Sequence, residues 1–494
     1  MTLKKLAALL LWIGYTHALS QTPADTIEQA RKLAYEKKYT QAITLLQTVE
    51  KHHPKDINAV RLHGQILYWM QDPDAAFLVY EAALQRNPNQ WVALDYGRML
   101  FEMYHLTKAK AILKTCLVDD SLNVEALNTL GSIAWLEGHT GLAKTYFQKV
   151  TKRYPQNEWA NKYLNYIVQG RKPWLGINTA YNSDSQPLHS LLATIETGWY
   201  TSWLLSPKIN ATIQAFNANS TNKQLYAINA SNECYFAALN LKAAAGIGVY
   251  RNPVDDKAGW TASLELKEKL DQHFSVTAYG VHQPVFYTIG SLQQAVTQYN
   301  FGADLLYNTT KSWSAWAGYN QQHFMDGNNI FTASAGALSP ALPLGKCRFF
   351  AGYAVGYSTA DSDRYQPGST VTQVLQTNTY NSAYDPYFTP RKQWENALLI
   401  NMVYQANAKL QVAVNTHTGL YTLADKPYFY LNYNNSNQLE IQKGYYAQHF
   451  IPVQLSGSVS YAIAKNAILK AGYTYMHTFF YNSHQVTLNL KLNR

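Results

Sequence analysis

Cysteine is nearly missing from this chain. Only Cys116, Cys234 and Cys347 occur in 494 residues, too few and too scattered for a disulfide framework. They are expected as small buried or lipid-facing apolar residues. Long apolar runs are missing as well. After the first twenty residues no stretch reaches the roughly 18 uninterrupted apolar residues of a membrane helix. Concentrated charge is a third absence. The net charge is +10, but residues 21–170 carry 17 basic and 15 acidic side chains, and residues 171–494 carry 22 and 16. No segment forms the basic surface that tracks phosphates, which excludes a nucleic-acid binder. Hydrolase signatures are missing too: there is no G-x-S-x-G and no H-E-x-x-H. His52 and His53 sit at a repeat end before Pro54, and His282, His323 and His417 stand alone in the sequence. No catalytic set, metal site or cofactor is expected, and a lipase or acyltransferase is disfavoured.

What is present begins with an export signal. Lys4 and Lys5 precede the apolar stretch Leu6 to Ile13, and Ala18-Leu19-Ser20 offers a small-residue cleavage site. Residues 1–20 are read as a signal peptide.

Residues 21–170 repeat. Small residues recur at Ala30, Gly64, Gly97 and Gly131, spaced by 34, 33 and 34. Ala42, Ala76, Ala109 and Ala143 keep the same frame, as do bulky Leu46, Tyr80, Leu113 and Phe147. Pro54, Pro88 and Pro155 close three units, Asp119-Asp120-Ser121 closes the other, and Glu158 to Val168 is an amphipathic cap. This pattern resembles the tetratricopeptide repeat. The resemblance implies a solenoid of about four repeats with a concave groove lined by the first helix of each. Carried onto this frame, the groove positions are Arg31, Tyr35, Arg61, Gln65, Tyr68, Trp69, Trp91, Arg98, Asn128 and Trp135. Their alternative role is packing between repeats.

Residues 171–494 alternate with period two. Ile209, Ala211, Ile213 and Ala215 alternate with Asn210, Thr212 and Gln214; Leu264 and Leu266 with Glu265 and Lys267. Leu410, Val412 and Val414 alternate with Gln411 and Asn415, and Val486 to Leu492 with Thr487, Asn489 and Lys491. Short turns recur at Ser206-Pro207-Lys208, Asn240-Leu241-Lys242, Leu270 to His273, Asn308 to Lys311, Pro343 to Lys346, Ala406 to Lys409 and Ala464 to Asn466. Backbone crosses a bilayer only as helices or closed barrels, and each barrel strand needs about 9–11 residues. Seven turns on one side require eight hairpins, so about sixteen strands. Of the 38 tyrosines, 27 fall in this half, as interfacial aromatic girdles would place them. Long extracellular connections are expected at 361–390 and 424–448. Tyr380, Tyr384, Tyr387 and Phe388 in the first make it a candidate lid. Gln214, Glu265, Lys267, Gln411, Asn415 and Lys491 are the expected lumen residues.

The expected class is therefore α + β in two domains: an N-terminal α-solenoid followed by a C-terminal antiparallel transmembrane β-barrel. Signal, repeats and barrel together resemble the outer-membrane export porins for bacterial exopolysaccharides such as cellulose and poly-N-acetylglucosamine. The barrel is also similar to the YaiO-type outer-membrane domain. Tyr387-Phe388-Thr389-Pro390-Arg391-Lys392 resembles the aromatic-aromatic-Ser-Pro motif that precedes a late strand in cellulose-export barrels. The resemblance implies a Gram-negative outer membrane, periplasmic repeats that gather a glycan or a periplasmic or inner-membrane protein, and a lumen that threads the polymer outward. The competing reading is a membrane-anchored protein-binding scaffold whose barrel is closed or plugged.

Overall fold

A computed structural model describes residues 22–170, 172–218, 221–236, 239–271, 273–308 and 313–493. The expected signal peptide, and Gln272 and Thr309 to Lys311 of the expected turns, lie outside the described residues. The chain divides into two compact units.

The helical region runs through α1 (Pro23–Tyr35), α2 (Tyr39–His52), α3 (Ile57–Trp69), α4 (Pro73–Arg86), α5 (Gln90–Glu102), α6 (Leu106–Asp119), α7 (Val124–Leu136), α8 (Thr140–Arg153) and α9 (Glu158–Gly170). Short polar side chains start the odd-numbered helices. Thr22 and Asp25 form a capping box on α1, Asp56 accepts from the amides of Asn58 and Ala59, and Asn89 accepts from Trp91 and Val92. Within each repeat a small residue of the first helix makes room for a large one of the second. A Cβ added at Gly64 would lie 2.4 Å from the Tyr80 ring, at Gly97 2.6 Å from Leu113, and at Gly131 2.8 Å from Phe147. These contacts give the repeat spacing its physical meaning. The turn between paired helices holds one residue at positive φ, at Lys37, Gln71, Tyr104 and Gly138, and only the last is glycine.

The second unit is a closed antiparallel barrel of sixteen strands. They are β1 (Trp174–Asp184), β2 (Leu188–Gly198), β3 (Pro207–Ala218), β4 (Thr221–Phe236), β5 (Leu241–Arg251), β6 (Ala258–Lys269), β7 (Phe274–Pro284) and β8 (Thr297–Tyr307). The series continues with β9 (Ser314–Phe324), β10 (Asn329–Leu338, resuming at Leu342–Leu344), β11 (Cys347–Ala360), β12 (Gln393–Gln405) and β13 (Leu410–Tyr433). It ends with β14 (Leu439–Phe450, resuming at Val453–Ala464), β15 (Ala467–His477) and β16 (Asn482–Asn493). Closure comes from β1 against β16, running from Trp174 opposite Asn493 to Asp184 opposite Ser483. Closure removes the unpaired edge that a bilayer would not tolerate.

The outward face carries the apolar half of the alternation. Ile228 is 58% exposed and Ile247 67% exposed. Apolar side chains left this open on every strand require an apolar solvent around them. Cys234 and Cys347 alternate onto this face as free thiols, and Cys116 is buried between helices. Among the described residues no helix is long and apolar enough to cross a membrane.

Two expectations need correction. The connection before β3 runs from Trp199 to Ser206, and Pro207 and Lys208 already belong to the strand, just as Leu241 and Lys242 of the next expected turn already belong to β5. The stretch 424–448 is not a loop. β13 is 24 residues long, and its upper half pairs with the first part of β14 from Thr422 opposite Phe450 to Tyr433 opposite Leu439. Its lower half pairs with the second part of β14. Pro452 interrupts β14 where Gly419 faces it; a Cβ there would lie 2.3 Å from the proline ring. A membrane strand needs only about 9–11 residues, so the hairpin extends past the wall beyond Leu423, where pairing with β12 ends.

Candidate functional site: the barrel interior and its roofed mouth

The inner wall is a ladder of amides and hydroxyls joined across strands. Asn178 donates to Glu196 at 3.1 Å, Thr194 meets Thr212 at 2.9 Å, and Asn229 donates to Asn210 at 3.0 Å. The ladder continues with Thr261 to Asn229 at 2.6 Å, Asn320 to Tyr279 at 2.9 Å, Thr332 to Ser358 at 2.9 Å and Gln485 to Asn182 at 2.8 Å. Opposite charges also pair on this wall: Lys242 lies 2.8 Å from Glu233, and His417 lies 2.6 Å from Glu395. A cavity of about 800 Å³ follows one side of this wall.

The lumen residues expected from alternation fall on this face. Gln214 lines the cavity and donates to Ser190 at 3.4 Å. Glu265 and Lys267 continue the row of Thr261 and Ser263, and Lys491 continues the row of Ser483 and Gln485. Gln411 and Asn415 share the row of His417, and Gln411 donates to Gln405 at 3.1 Å.

The mouth at the end of the barrel that carries the β7–β8, β11–β12 and β15–β16 connections is roofed by two loops. The β7–β8 loop turns inward, packing Phe286 at a tilt against Phe216 of β3 at 5.2 Å and burying Leu292 beside Leu188, Leu225 and Tyr250. The β11–β12 loop is longer and contains the short helix α10 (Val371–Thr377). Its contacts run from one side of the mouth to the other. Thr288 of the β7–β8 loop donates to the Pro386 carbonyl, and Gln294 donates to Asp385 at 3.3 Å. Tyr387 stacks on Phe324 at 3.6 Å, and Phe388 stacks on Phe480 of the β15–β16 turn at 4.0 Å. In a ring of sixteen strands, β7–β8 and β15–β16 are eight places apart. The loop therefore crosses the full width of the mouth.

Polar side chains fasten it. Arg364 pairs with Asp326 of the β9–β10 turn at 2.7 Å, and the Tyr387 hydroxyl donates to the same carboxylate at 2.8 Å. Burial pushes the Tyr387 hydroxyl up to about 12. Asp363 accepts from Tyr445 of the hairpin at 2.9 Å and pairs with Lys443 at 3.4 Å. Burial raises the Tyr445 hydroxyl to about 12 as well. Thr389 accepts from the Arg364 amide at 2.9 Å, and the Pro390 carbonyl accepts from the Ala360 amide at 2.8 Å. The Arg391 guanidinium lies 3.9 Å above the Tyr445 ring and 3.5 Å from Asp425. The Tyr387–Arg391 motif is thus the loop's return to the wall. Beneath it is a chamber of about 370 Å³ with Phe388, Phe450, Phe479 and Phe480 among its aromatics and Gln393 and Glu395 among its polar groups. Tyr287 and Tyr481 line both the chamber and the larger cavity. Sequence reasoning missed Arg364, Asp326 and Phe480, although the run Phe479-Phe480-Tyr481 inside a turn was a visible signal.

The helical unit brings groove positions of successive repeats together. Arg61 pairs with Asp95 at 2.6 Å, and Tyr68 donates to Glu102 at 2.9 Å. Hydrogen bonding to Asp95 raises the Arg61 pKa; burial, with Glu102, raises Tyr68 to about 12. Arg61 also lies 5.9 Å from the Trp91 ring, Tyr35 and Trp69 are 6.4 Å apart, and Arg98 reaches Glu125 at 3.4 Å. Gln65 is exposed, whereas Arg31 pairs with Glu28 on its own helix at 3.2 Å. Asn128 donates to Asn157 at 3.4 Å, and half-buried Trp135 meets Tyr163 edge-on at 6.4 Å, a packing role. The acidic partners Asp95 and Glu102 were missed, yet each stands 34 residues after its partner, the repeat interval itself.

Residues 124–157 match the family profile of the tetratricopeptide repeat. No curated protein sequence matches the chain. Among solved structures, one titled a bacterial polysaccharide outer membrane secretin aligns over 66% of this chain and 99% of its own, with 8% identity and a TM-score of 0.46. A MamA protein aligns over 31% of this chain and 83% of its own, with 14% identity and a TM-score of 0.28. A tetratricopeptide repeat protein from Parabacteroides merdae aligns over 30% of this chain and 60% of its own, with 17% identity and a TM-score of 0.28. The chain thus joins a tetratricopeptide-type helical region to a closed sixteen-stranded barrel of the outer-membrane kind.

Proposed function

We propose that this protein conducts an exopolysaccharide outward across the outer membrane of a Gram-negative cell, with its repeats in the periplasm and residues 1–20 removed as a signal peptide. The observation that carries the reading is the inner wall. Amides and hydroxyls paired across successive strands offer many weak, interchangeable hydrogen bonds. A hydroxyl-rich polymer can exchange these one at a time, as passage requires binding that also lets go. The aromatic chamber adds flat faces for sugar rings, and the roof admits the chain when its latch opens. Arg61, Tyr68, Trp69, Trp91 and Arg98 in the repeat groove would receive the nascent glycan or a periplasmic or inner-membrane protein that delivers it.

The second reading, an anchored scaffold for periplasmic proteins, is favoured by one observation: loops roof the mouth from side to side. Conductance of the full-length protein in planar bilayers separates the two. The export reading expects low basal conductance that rises in Arg364→Ala/Tyr387→Phe and is then blocked by added oligosaccharide. Conductance unchanged by loosening the roof would favour the scaffold.

A further inference from the structure

The hairpin above the rim has two unlike faces. Pairing without a register shift from Thr422 opposite Phe450 to Tyr433 opposite Leu439 assigns every residue to one of them. One face holds Phe429, Lys443 and Tyr445, packed against the roof loop, with Phe429 only 8% exposed. The other holds Gln448, Tyr446, Tyr428, Tyr430, Gln442 and Asn432. Here Tyr428 is 43%, Tyr430 37% and Tyr446 46% exposed. Tyr428 lies 5.8 Å from Tyr430 and 5.8 Å from Tyr446, a spacing comparable to the width of one sugar ring. Gly444 sits opposite Tyr428, where a Cβ would lie 2.5 Å from the ring. The glycine lets that ring lie flat across the strand and present its other side.

This open face is continuous with the chamber below the roof. Phe450, on the same face, lines the chamber, and the Lys426 ammonium on that face lies 5.8 Å from the ring of Phe479, another chamber residue. Its chemistry selects an occupant. The face carries no leucine, isoleucine or valine; those on the hairpin's upper half, Leu423, Leu431, Leu439 and Ile441, are all on the opposite face. A lipid or an apolar protein surface would want the reverse. Tyrosine rings flanked by amides suit a sugar polymer, whose ring C–H faces lie on aromatics while its hydroxyls bond to amides.

We infer that the Tyr446–Tyr428–Tyr430 face is an extracellular track that receives a neutral or N-acetylated glycan as it leaves the chamber. This rests on the export reading and adds to it a binding site outside the barrel. The test uses full-length protein in detergent, with fluorescent cellohexaose and the N-acetylglucosamine hexamer as probes. Three variants are compared with the parent: Tyr428→Ala/Tyr446→Ala, Tyr428→Phe/Tyr446→Phe, and Phe388→Ala/Phe480→Ala in the chamber. Heat-modifiable gel mobility checks that each barrel is folded. The track expects at least one probe to bind, with about tenfold weaker affinity in the hairpin alanine variant, as loss of two ring contacts implies, and near-parental affinity in the phenylalanine variant. Parental affinity in the hairpin alanine variant, with loss only in the chamber variant, overturns the track and leaves the export reading standing. Binding of neither probe by the parent overturns both.

Discussion

Single residues set the tolerances of both units. Where repeat helices touch, glycine is required by a specific neighbour: Gly97→Val would drive its side chain into Leu113, 2.6 Å from the added Cβ. Overpacking of this kind costs about 1–3 kcal/mol, so thermal unfolding followed by helical circular dichroism should shift to lower temperature. Gly141→Ala meets nothing within 4 Å and lies in a helix, so the same measurement should show unchanged or slightly raised stability. The roof has its own sensitive residue. Tyr387 is held neutral by burial, its pKa raised from 10 to about 12. A raised tyrosine pKa stabilises the closed form fully below pH 10 and loses that contribution as pH rises from 10 through about 12. Bilayer conductance should therefore stay flat to pH 10 and climb above it, and Tyr387→Phe should flatten the climb. The repeat glycines were legible because their period declares the contact. Arg364 was not, because its partner Asp326 lies in a different loop and no local pattern links them.

At the scale of elements, the barrel strands announced themselves through alternation and the lysine-bearing turns between them. Both follow from geometry that a bilayer imposes on every strand. The upper half of β13 and β14 did not. The stretch 424–448 has the length of a connection, but β13 and β14 go on pairing past the point where β12 ends, so the wall sets no limit on the hairpin's length. Its turn, Asn434 to Gln438, is closed by the Asn434 amide donating to the Gln438 carbonyl at 2.9 Å. The β11–β12 loop was legible as a lid candidate from its aromatics, but its reach across the mouth depends on four other loops and turns. Replacing residues 366–383 with a short Gly/Ser linker removes α10 and Tyr380, a second ring against Phe429, while leaving Tyr365 and Tyr387 to Arg391. Conductance should rise at least as much as in the latch variant, with heat-modifiable mobility showing that the wall is intact.

The whole molecule holds three features: charged and aromatic side chains on successive repeats, a hydrogen-bonding lumen, and a roofed aromatic mouth. Each suits a long hydroxylated polymer better than a small diffusing solute. The groove makes a separable demand. Arg61→Ala would leave Asp95 and Trp91 without their shared cation, and Trp69→Ala would remove the partner of Tyr35. The two changes together should lower polymer output without altering the conductance of the purified protein, because the barrel is untouched. The most direct test of the central claim is to delete the gene in its host and assay polymer sugar in medium, cell surface, and periplasm. Conduction predicts that extracellular and surface polysaccharide fall while periplasmic polysaccharide accumulates, both restored by the intact gene. Polysaccharide unchanged in every fraction would contradict it.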